Sequence, residues 1–107
     1  MPSSHVAEPG RQTPVYGDYE VVVVGGGPAG IAASIAAARA GRSTICIERY
    51  GFCGGAGTAA GLSTFCGLHA VVHGEHRQIV HGIPHDILAR LARMDGLNKP
   101  HLTILDQ

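Results

Sequence analysis

The stretch that decides the fold is "YEVVVVGGGPAGIAAS", Tyr19 to Ser34, in which a run of valines meets a run of small residues across three glycines. Four valines without alternation, residues 21–24, predict a strand of a parallel sheet that is buried on both faces. The next segment predicts a helix, because Pro28 suits a first turn and Gly41 suits a C-terminal cap. "STICIE", residues 43–48, predicts a second strand, so the chain should form a right-handed βαβ unit.

The three glycines belong to a GxGxxG pattern that follows the first strand and opens the helix. In this pattern Gly25 would make the tight turn, Gly27 would let the backbone approach a pyrophosphate, and Gly30 would let the helix pack closely on the strand. The helix N-terminus offers unpaired N–H groups and a partial positive charge to phosphates. The sequence therefore predicts an adenine-dinucleotide site made of Gly25, Gly26, Gly27, Pro28, Ala29 and Gly30.

An acidic residue stands at the end of the second strand, where such sites bind a ribose. Glu48 follows Gly30 by 18 residues, and its carboxylate can accept hydrogen bonds from both ribose hydroxyls. A 2′-phosphate at this place would be repelled by the carboxylate, so NADP is disfavoured. The motif does not choose between FAD and NAD.

Composition limits the classes of function. The 107 residues are 45% hydrophobic and 15% charged, which indicates one small globular domain. Eight basic and eight acidic residues balance, so neither nucleic acid nor an anionic membrane is an expected partner. The apolar run over residues 21–41 is interrupted by glycines, which argues against a transmembrane helix. We expect residues 1–17 to be a flexible leader, not a signal peptide, and residues 18–107 to be part of one domain.

Weaker signals follow the glycine-rich loop. Two apolar runs around Gly74 and Glu75 predict a hairpin. Residues 83–96 predict a helix that begins near Pro84, ends at Gly96 and has one apolar face. That face should consist of Ile83, Ile87, Leu88, Leu91 and Met94. The tail, residues 97–107, could start another strand.

The segment "DYEVVVVGGGPAGIAASIAAARAGRSTICIERYGFCGGAGTAAG" resembles the N-terminus of FAD-dependent oxidoreductases of the glutathione-reductase-like superfamily. In the family called simply FAD-dependent oxidoreductase, an aromatic-Gly-x-x-Gly-Gly loop with a nearby Thr follows the first βαβ unit. The resemblance covers about residues 18–98, and the matching loop residues are Tyr50, Gly51, Gly54, Gly55 and Thr58. It implies an incomplete, Rossmann-like α/β FAD-binding domain and FAD as cofactor. The loop over residues 51–57 would pass beside the pyrophosphate and ribityl chain, and Arg49, Gly54, Gly55 and Thr58 would complete the FAD site.

The three cysteines do not form a recognisable redox motif. Cys46, Cys53 and Cys66 lack CxxC spacing, which favours reduced thiols in a cytoplasmic protein. Dithiol flavoenzymes of the resembling superfamily carry a CxxxxC pair after the acid, and Cys53 has no such partner. We therefore predict that Cys53 is not a redox centre and that Cys46, between two isoleucines, is a small core residue.

Histidines give no metal site and no catalytic base. His69, His73 and His76 would share a face of a helix, but a hairpin scatters them, so no metal is expected. His81 and His85 could face flavin or substrate, although a solvated surface is the simpler interpretation. No residue is singled out as catalytic.

The sequence favours the FAD-anchoring N-terminal segment of an oxidoreductase that acts on an unknown small molecule. One alternative is the NAD-binding segment of a dehydrogenase, and another is a non-catalytic nucleotide-binding or subunit module. A chain of 107 residues leaves no room for the late strand and the substrate domain of the superfamily fold. We expect a fragment or one piece of a larger flavoprotein or homo-oligomer, which alone would be poorly stable and bind FAD weakly.

Overall fold

The computed structural model describes residues 4–62 and 64–97, which form four strands and three helices. In chain order they are β1 (Val21–Val24), α1 (Pro28–Arg39), β2 (Thr44–Ile47), α2 (Ala56–Ala59), β3 (His69–Val72), β4 (Glu75–Gln78) and α3 (Ile83–Arg93). The predicted α/β class, the βαβ unit, the hairpin and the second long helix are confirmed. The one-turn helix α2 was not predicted. A strand in the tail would fall largely on residues 98–107, which lie outside the described residues.

β1 and β2 form a parallel two-stranded sheet, and α1 is the crossover between them. Their register aligns Val21 with Thr44 and Val24 with Ile47. α1 packs on one face of this sheet, where Val21 and Val23 are half-buried. On the opposite face Val22 is 53% exposed and Val24 is 81% exposed. The prediction that β1 is buried on both faces is therefore wrong within the described residues, because a helix covers only one of them.

Cys46 also differs from its predicted place in the core, since its side chain is exposed. It lies in the middle of β2. In the part of the chain that the structure describes, this sheet has only two strands, so β2 is an edge strand. An alternating apolar pattern cannot tell an edge strand from a central one, which is why the sequence suggested a core residue.

The two long helices end in the same kind of cap. After α1, Gly41 has φ +76°, its N–H donates to Ala38, and the next N–H donates to Ala37. After α3, Asp95 has φ +56° and the N–H of Gly96 donates to the carbonyl of Leu91 over 2.8 Å. These are Schellman caps, which satisfy the last carbonyls of a helix. Gly41 and Gly96 thus end their helices as predicted, although α3 stops at Arg93.

The hairpin of β3 and β4 turns at His73 and Gly74, one residue earlier than the predicted Gly74-Glu75 centre. Both turn residues have positive φ, 52° and 86°, as a two-residue type I′ turn requires. This turn separates His73 from the strands that carry His69 and His76, so the three histidines do not share a helical face.

Little apolar surface is buried in the described part of the chain. Only Leu88 of α3, at 1% exposure, and Leu68, at 9%, count as its buried hydrophobic core. α3 packs against α1, and Arg39 and Asp86 form an ion pair between them at 2.8 Å. Met94 is 77% exposed because it lies past the end of α3, so its assignment to the apolar face is wrong.

Glu20 joins the start of β1 to the residues just before β2. Its carboxylate accepts hydrogen bonds from the N–H of Ser43 and from the guanidinium of Arg42, both at 2.9 Å. Its own N–H donates to the Ser43 hydroxyl over 3.0 Å. The bonds that the carboxylate accepts, led by the one from the Ser43 N–H, lower the pKa of Glu20 below its ordinary value of 4.5.

A first prediction follows from the packing of α1 on β1. A Cβ at Gly30 would overlap the carbonyl oxygen of Gly25, so Gly30→Ala should destabilise the chain by about 1–3 kcal/mol or more. Gly27→Ala is the matched control: no atom lies within 4 Å of its Cβ position, so its effect should stay within about 1 kcal/mol. Thermal unfolding followed by circular dichroism measures both. Equal transitions for the two variants would contradict the packing argument.

A second prediction concerns the stability of the chain at acid pH. Because the pKa of Glu20 is lowered in the folded chain, its contribution to stability is complete above about pH 4.5 and is lost as the pH falls through the lowered pKa. The unfolding midpoint, measured from about pH 6 to about pH 3, should fall at the acid end. Glu20→Gln should lower the midpoint at pH 6 and reduce the acid-dependent fall. An unchanged pH profile in this variant would show that the contacts of Glu20 do not stabilise the fold.

Candidate functional site

The turn between β1 and α1 is held against the end of β2. Gly25 has φ +106°, a conformation that side chains rarely adopt, and its N–H donates to the carbonyl of Ile47 over 2.8 Å. The chain then enters α1 through Gly27, whose extended backbone is the N-cap. The pattern read from the sequence thus makes the strand–turn–helix connection that was predicted for it.

The N-terminus of α1 presents unpaired backbone donors. The first hydrogen bond of the helix runs from the N–H of Ile31 to the carbonyl of Gly27 over 2.9 Å. Among the described residues the N–H groups of Gly27, Ala29 and Gly30 have no hydrogen-bond partner, and Pro28 has no N–H to offer. The first turn carries no acidic side chain. This helix end therefore combines free donors with the positive end of the helix dipole, which suits a phosphate group.

The space in front of Gly27 is open. A Cβ built at Gly27 meets no atom within 4 Å, whereas one at Gly30 would overlap the carbonyl of Gly25. The two glycines therefore differ in what they serve. Gly30 must be glycine because a side chain there would overlap the carbonyl of Gly25. A side chain at Gly27 would overlap nothing in the fold and would only fill the open space in front of the turn.

Glu48 follows directly on β2 and uses both carboxylate oxygens. Oε2 accepts a hydrogen bond from the N–H of Gly26 at 2.6 Å, and Oε1 accepts one from the N–H of Tyr50 at 3.0 Å. These bonds, led by the one from Tyr50, lower the pKa of Glu48 below 4.5, so the carboxylate stays ionised at neutral pH. An ionised carboxylate has about four acceptor positions, so hydroxyl groups can still bind to it.

The glycine-rich loop after β2 lies on the glycine turn. The N–H of Gly54 donates to the carbonyl of Gly26 over 2.8 Å, and a Cβ at Gly55 would come within 3.1 Å of the Cα of Gly27. Thr58 donates its hydroxyl hydrogen to the carbonyl of Cys53 over 2.7 Å and so closes the loop. The structure thus brings the two predicted glycine segments together.

Arg49 is placed differently from the other predicted residues. It is exposed, and its guanidinium carbon lies 5.7 Å from the centroid of the Tyr50 ring. The Tyr50 and Phe52 rings are stacked, with centroids 5.7 Å apart and an interplanar angle of 11°. The Arg49 side chain therefore lies against Tyr50, while its backbone is one of the groups that lower the pKa of Glu48.

A cavity of 370 Å³ lies between α1, the glycine-rich loop and α3. Its wall is mainly apolar, and it is lined by Pro28, Ile31, Gly54, Gly57, Thr58, Phe65, Leu68, Pro84 and Ile87. Sequence reasoning missed it, because the lining comes from distant parts of the chain that share no motif. Pro28, Gly54 and Thr58 were predicted as residues of the FAD site, and the apolar face of α3 contributes Ile87, but nothing in the sequence showed that these segments meet around one cavity.

Within residues 4–62 and 64–97, the cysteines and histidines outside the turn form no shared metal site. All three cysteines are free and exposed. The described residues contain no group of three or more His, Cys, Asp or Glu side chains placed to hold a metal ion. His85 lies 3.2 Å from the amide oxygen of Gln78, and its ring centroid is 6.3 Å from that of His81. Neither histidine has a contact with the glycine turn that would assign it a role.

No helix within residues 4–62 and 64–97 has the length and apolar character needed to cross a membrane.

Comparison with known proteins identifies relatives for this segment. Dihydrolipoyl dehydrogenase of Trypanosoma brucei brucei is 51% identical over 45 residues, which are 42% of this chain and 9% of that protein. The mitochondrial dihydrolipoyl dehydrogenase of Schizosaccharomyces pombe is 34% identical over 82 residues, 77% of this chain and 15% of that protein. A putative bifunctional amine oxidase of Dictyostelium discoideum is 43% identical over 42 residues, 39% of this chain and 4% of that protein.

The chain thus spans less than a sixth of the length of these relatives. No solved structure gives a significant match. Because one relative is mitochondrial by name, the cytoplasmic location stays a prediction. The sequence model of the family described as FAD dependent oxidoreductase matches residues 20–106. That match confirms the predicted resemblance and the predicted cofactor, FAD: the chain belongs to the FAD dependent oxidoreductase family.

Proposed function

We propose that this chain anchors the adenosine diphosphate part of FAD in an oxidoreductase. The observation that carries the proposal is the set of three unpaired N–H groups, on Gly27, Ala29 and Gly30, at the start of a twelve-residue helix, with open space in front of Gly27. They suit the pyrophosphate, which needs several donors and a positive potential. The membership of the family makes FAD the dinucleotide concerned.

The ribose of the adenosine would bind at Glu48. The carboxylate lies at the end of β2 and is already hydrogen-bonded to Gly26, so it stands beside the turn that holds the pyrophosphate. Its ionised state makes it a strong acceptor for two hydroxyl groups. This geometry disfavours a 2′-phosphorylated nucleotide, which would bring a second negative group to the carboxylate.

The glycine-rich loop is proposed to run along the pyrophosphate and the ribityl chain. Its contact with the glycine turn through Gly54 and Gly55 supports this placement, since both segments would then face the same ligand. Thr58 fixes the loop through its bond to Cys53 and keeps its oxygen lone pairs available as acceptors. We propose that Arg49 lies at the adenosine end of FAD, farther from the pyrophosphate than the glycines, because it follows Glu48 in the sequence and its guanidinium contacts Tyr50.

The redox chemistry is supplied by the flavin when it is bound, and these residues hold and orient it. We propose that further polypeptide completes the domain and carries the substrate site. The exposed face of the sheet, with Val22, Val24 and Ile47, supports this, because such a surface is normally covered in an α/β domain. The remainder of the flavoprotein would be that cover, and residues 1–17 would be its leader.

A third prediction tests the anchoring. Gly27→Val should abolish FAD retention, or weaken FAD binding by more than about tenfold, because the side chain fills the space that the pyrophosphate needs. The helical circular dichroism should stay, since nothing in the fold occupies that space. Since this chain alone should bind FAD weakly, retention is measured by flavin absorbance after gel filtration of the complete enzyme, and the affinity of the chain itself by calorimetry. Retained FAD would contradict the proposal, and flavin-free binding of NADH by the wild-type chain would favour the NAD alternative.

A fourth prediction concerns Cys53, which we propose has no redox role. Its spacing from Cys46 and Cys66 provides no CxxxxC pair, and all three thiols are free. Cys53→Ser should keep the flavin potential and leave turnover within about tenfold of the wild type in the complete enzyme. A larger loss of turnover with FAD still bound would assign the thiol a part in the reaction.

A further inference from the structure

The middle glycine of the turn, Gly26, has a role that the GxGxxG pattern does not explain, since that pattern allows any residue at this position. Gly26 is the one buried residue of the turn. Its N–H donates to Oε2 of Glu48 at 2.6 Å, and its carbonyl accepts from the N–H of Gly54 at 2.8 Å. A buried N–H group needs a partner, and the carboxylate is the partner here.

The same carboxylate explains why this residue is glycine. A Cβ at Gly26 would lie 3.0 Å from Oε2 of Glu48, 3.2 Å from its Cβ and 3.2 Å from Sγ of Cys53. Those distances are tighter than ordinary van der Waals contacts. A side chain at position 26 would therefore require the carboxylate of Glu48 and the thiol of Cys53 to shift by a few tenths of an ångström, and a shift of the carboxylate would strain the short hydrogen bond that it accepts.

Glu48 also binds the start of the glycine-rich loop. While Oε2 holds the turn before α1, Oε1 holds the N–H of Tyr50, where the glycine-rich loop begins. One side chain thus connects the turn at Gly26, which lies 22 residues before Glu48 in the sequence, to the loop that begins at Tyr50. The bond from Gly54 to Gly26 is a second tie between the same two segments.

We propose that Glu48 is a positioning residue for the pyrophosphate as well as a ligand of the ribose: it fixes the glycine turn in its binding shape before the dinucleotide arrives. The inference rests on the proposed function. The physical reason for this role is that the free N–H of Gly27 belongs to the peptide group that joins Gly26 to Gly27. Fixing Gly26 therefore helps to fix the direction in which the Gly27 N–H points. A turn fixed in advance binds its ligand without a further loss of conformational freedom.

The test uses the full chain and two nucleotides, ADP and 2′,3′-dideoxy-ADP, which keeps the pyrophosphate but has no ribose hydroxyls. Glu48→Gln keeps the shape of the side chain but replaces one acceptor oxygen by an NH₂ group, and Glu48→Asp keeps the charge but shortens its reach. Glu20→Gln is the matched control, because Glu20 also binds a backbone N–H but lies at the opposite end of β1.

We expect both Glu48 variants to bind dideoxy-ADP about fivefold to tenfold more weakly than the wild type, which is the scale of one lost hydrogen bond. They should weaken the binding of ADP by a larger factor, because ADP also loses its ribose contact with Glu48. Glu20→Gln should leave both affinities within about twofold. Gly26→Ala should also weaken the binding of both nucleotides, as the Glu48 variants do, because its methyl group would shift the unchanged Glu48 carboxylate.

Amide hydrogen exchange in the ligand-free chain provides a second readout. In the wild type the N–H groups of Gly26 and Tyr50 should be protected, and in Glu48→Gln at least one of them should exchange about fivefold or more faster. Any faster exchange in Glu20→Gln should be shared by the protected amides of the whole chain, because this variant lowers overall stability and does not act on Gly26 and Tyr50 in particular. This measurement does not depend on any nucleotide, so it tests the hydrogen bonds of Glu48 separately from the proposed function.

The inference is overturned if the Glu48 variants weaken ADP but bind dideoxy-ADP like the wild type, because Glu48 would then act on the ribose alone while the proposed function stands. It is also overturned if exchange at Gly26 and Tyr50 is the same in Glu48→Gln as in the wild type. A wild-type chain that binds neither nucleotide would contradict the proposed function, and the positioning role with it.

Discussion

The close approach of α1, at Gly30, to the turn that follows β1 is the constraint on which the rest of the structure depends. The backbone of Gly30 lies so near the carbonyl of Gly25 that no side chain fits between them. The N-terminus of α1 follows β1 directly, so it lies at the carboxyl ends of both parallel strands. Ligands of open α/β sheets bind in this crevice, and here the three unpaired N–H groups lie there.

Backbone hydrogen bonds and one carboxylate organise the site around that helix end. Gly25 is bonded to Ile47, and Gly26 is bonded to Glu48 and Gly54, so the turn is fixed from β2 and from the following loop. What stays unpaired is the row of donors that would face a phosphate. The distinction between bonded and free N–H groups is what makes the turn a candidate FAD site instead of a plain connection, and it agrees with the family to which the chain belongs.

Much of this could be predicted from the sequence because the signals are local. The valines, Pro28 and Gly41 fix the βαβ unit, and the spacing to Glu48 places an acid beside the turn. What depends on contacts between distant segments could not be predicted. The exposure of Val24 and Cys46 follows from which elements cover the sheet, and periodicity does not report that. Similarly, the need for glycine at position 26 appears only once the carboxylate of Glu48 is seen against it.

The most direct test of the central claim is amide chemical-shift mapping of the full chain by nuclear magnetic resonance, with ADP and with adenosine. The account predicts that ADP shifts the amides of Gly27, Ala29 and Gly30 strongly, because their N–H groups bind the pyrophosphate, and that adenosine, which has no phosphate, leaves these three nearly unchanged. Equal shifts with both ligands, or ADP-induced shifts concentrated away from the start of α1, would contradict it.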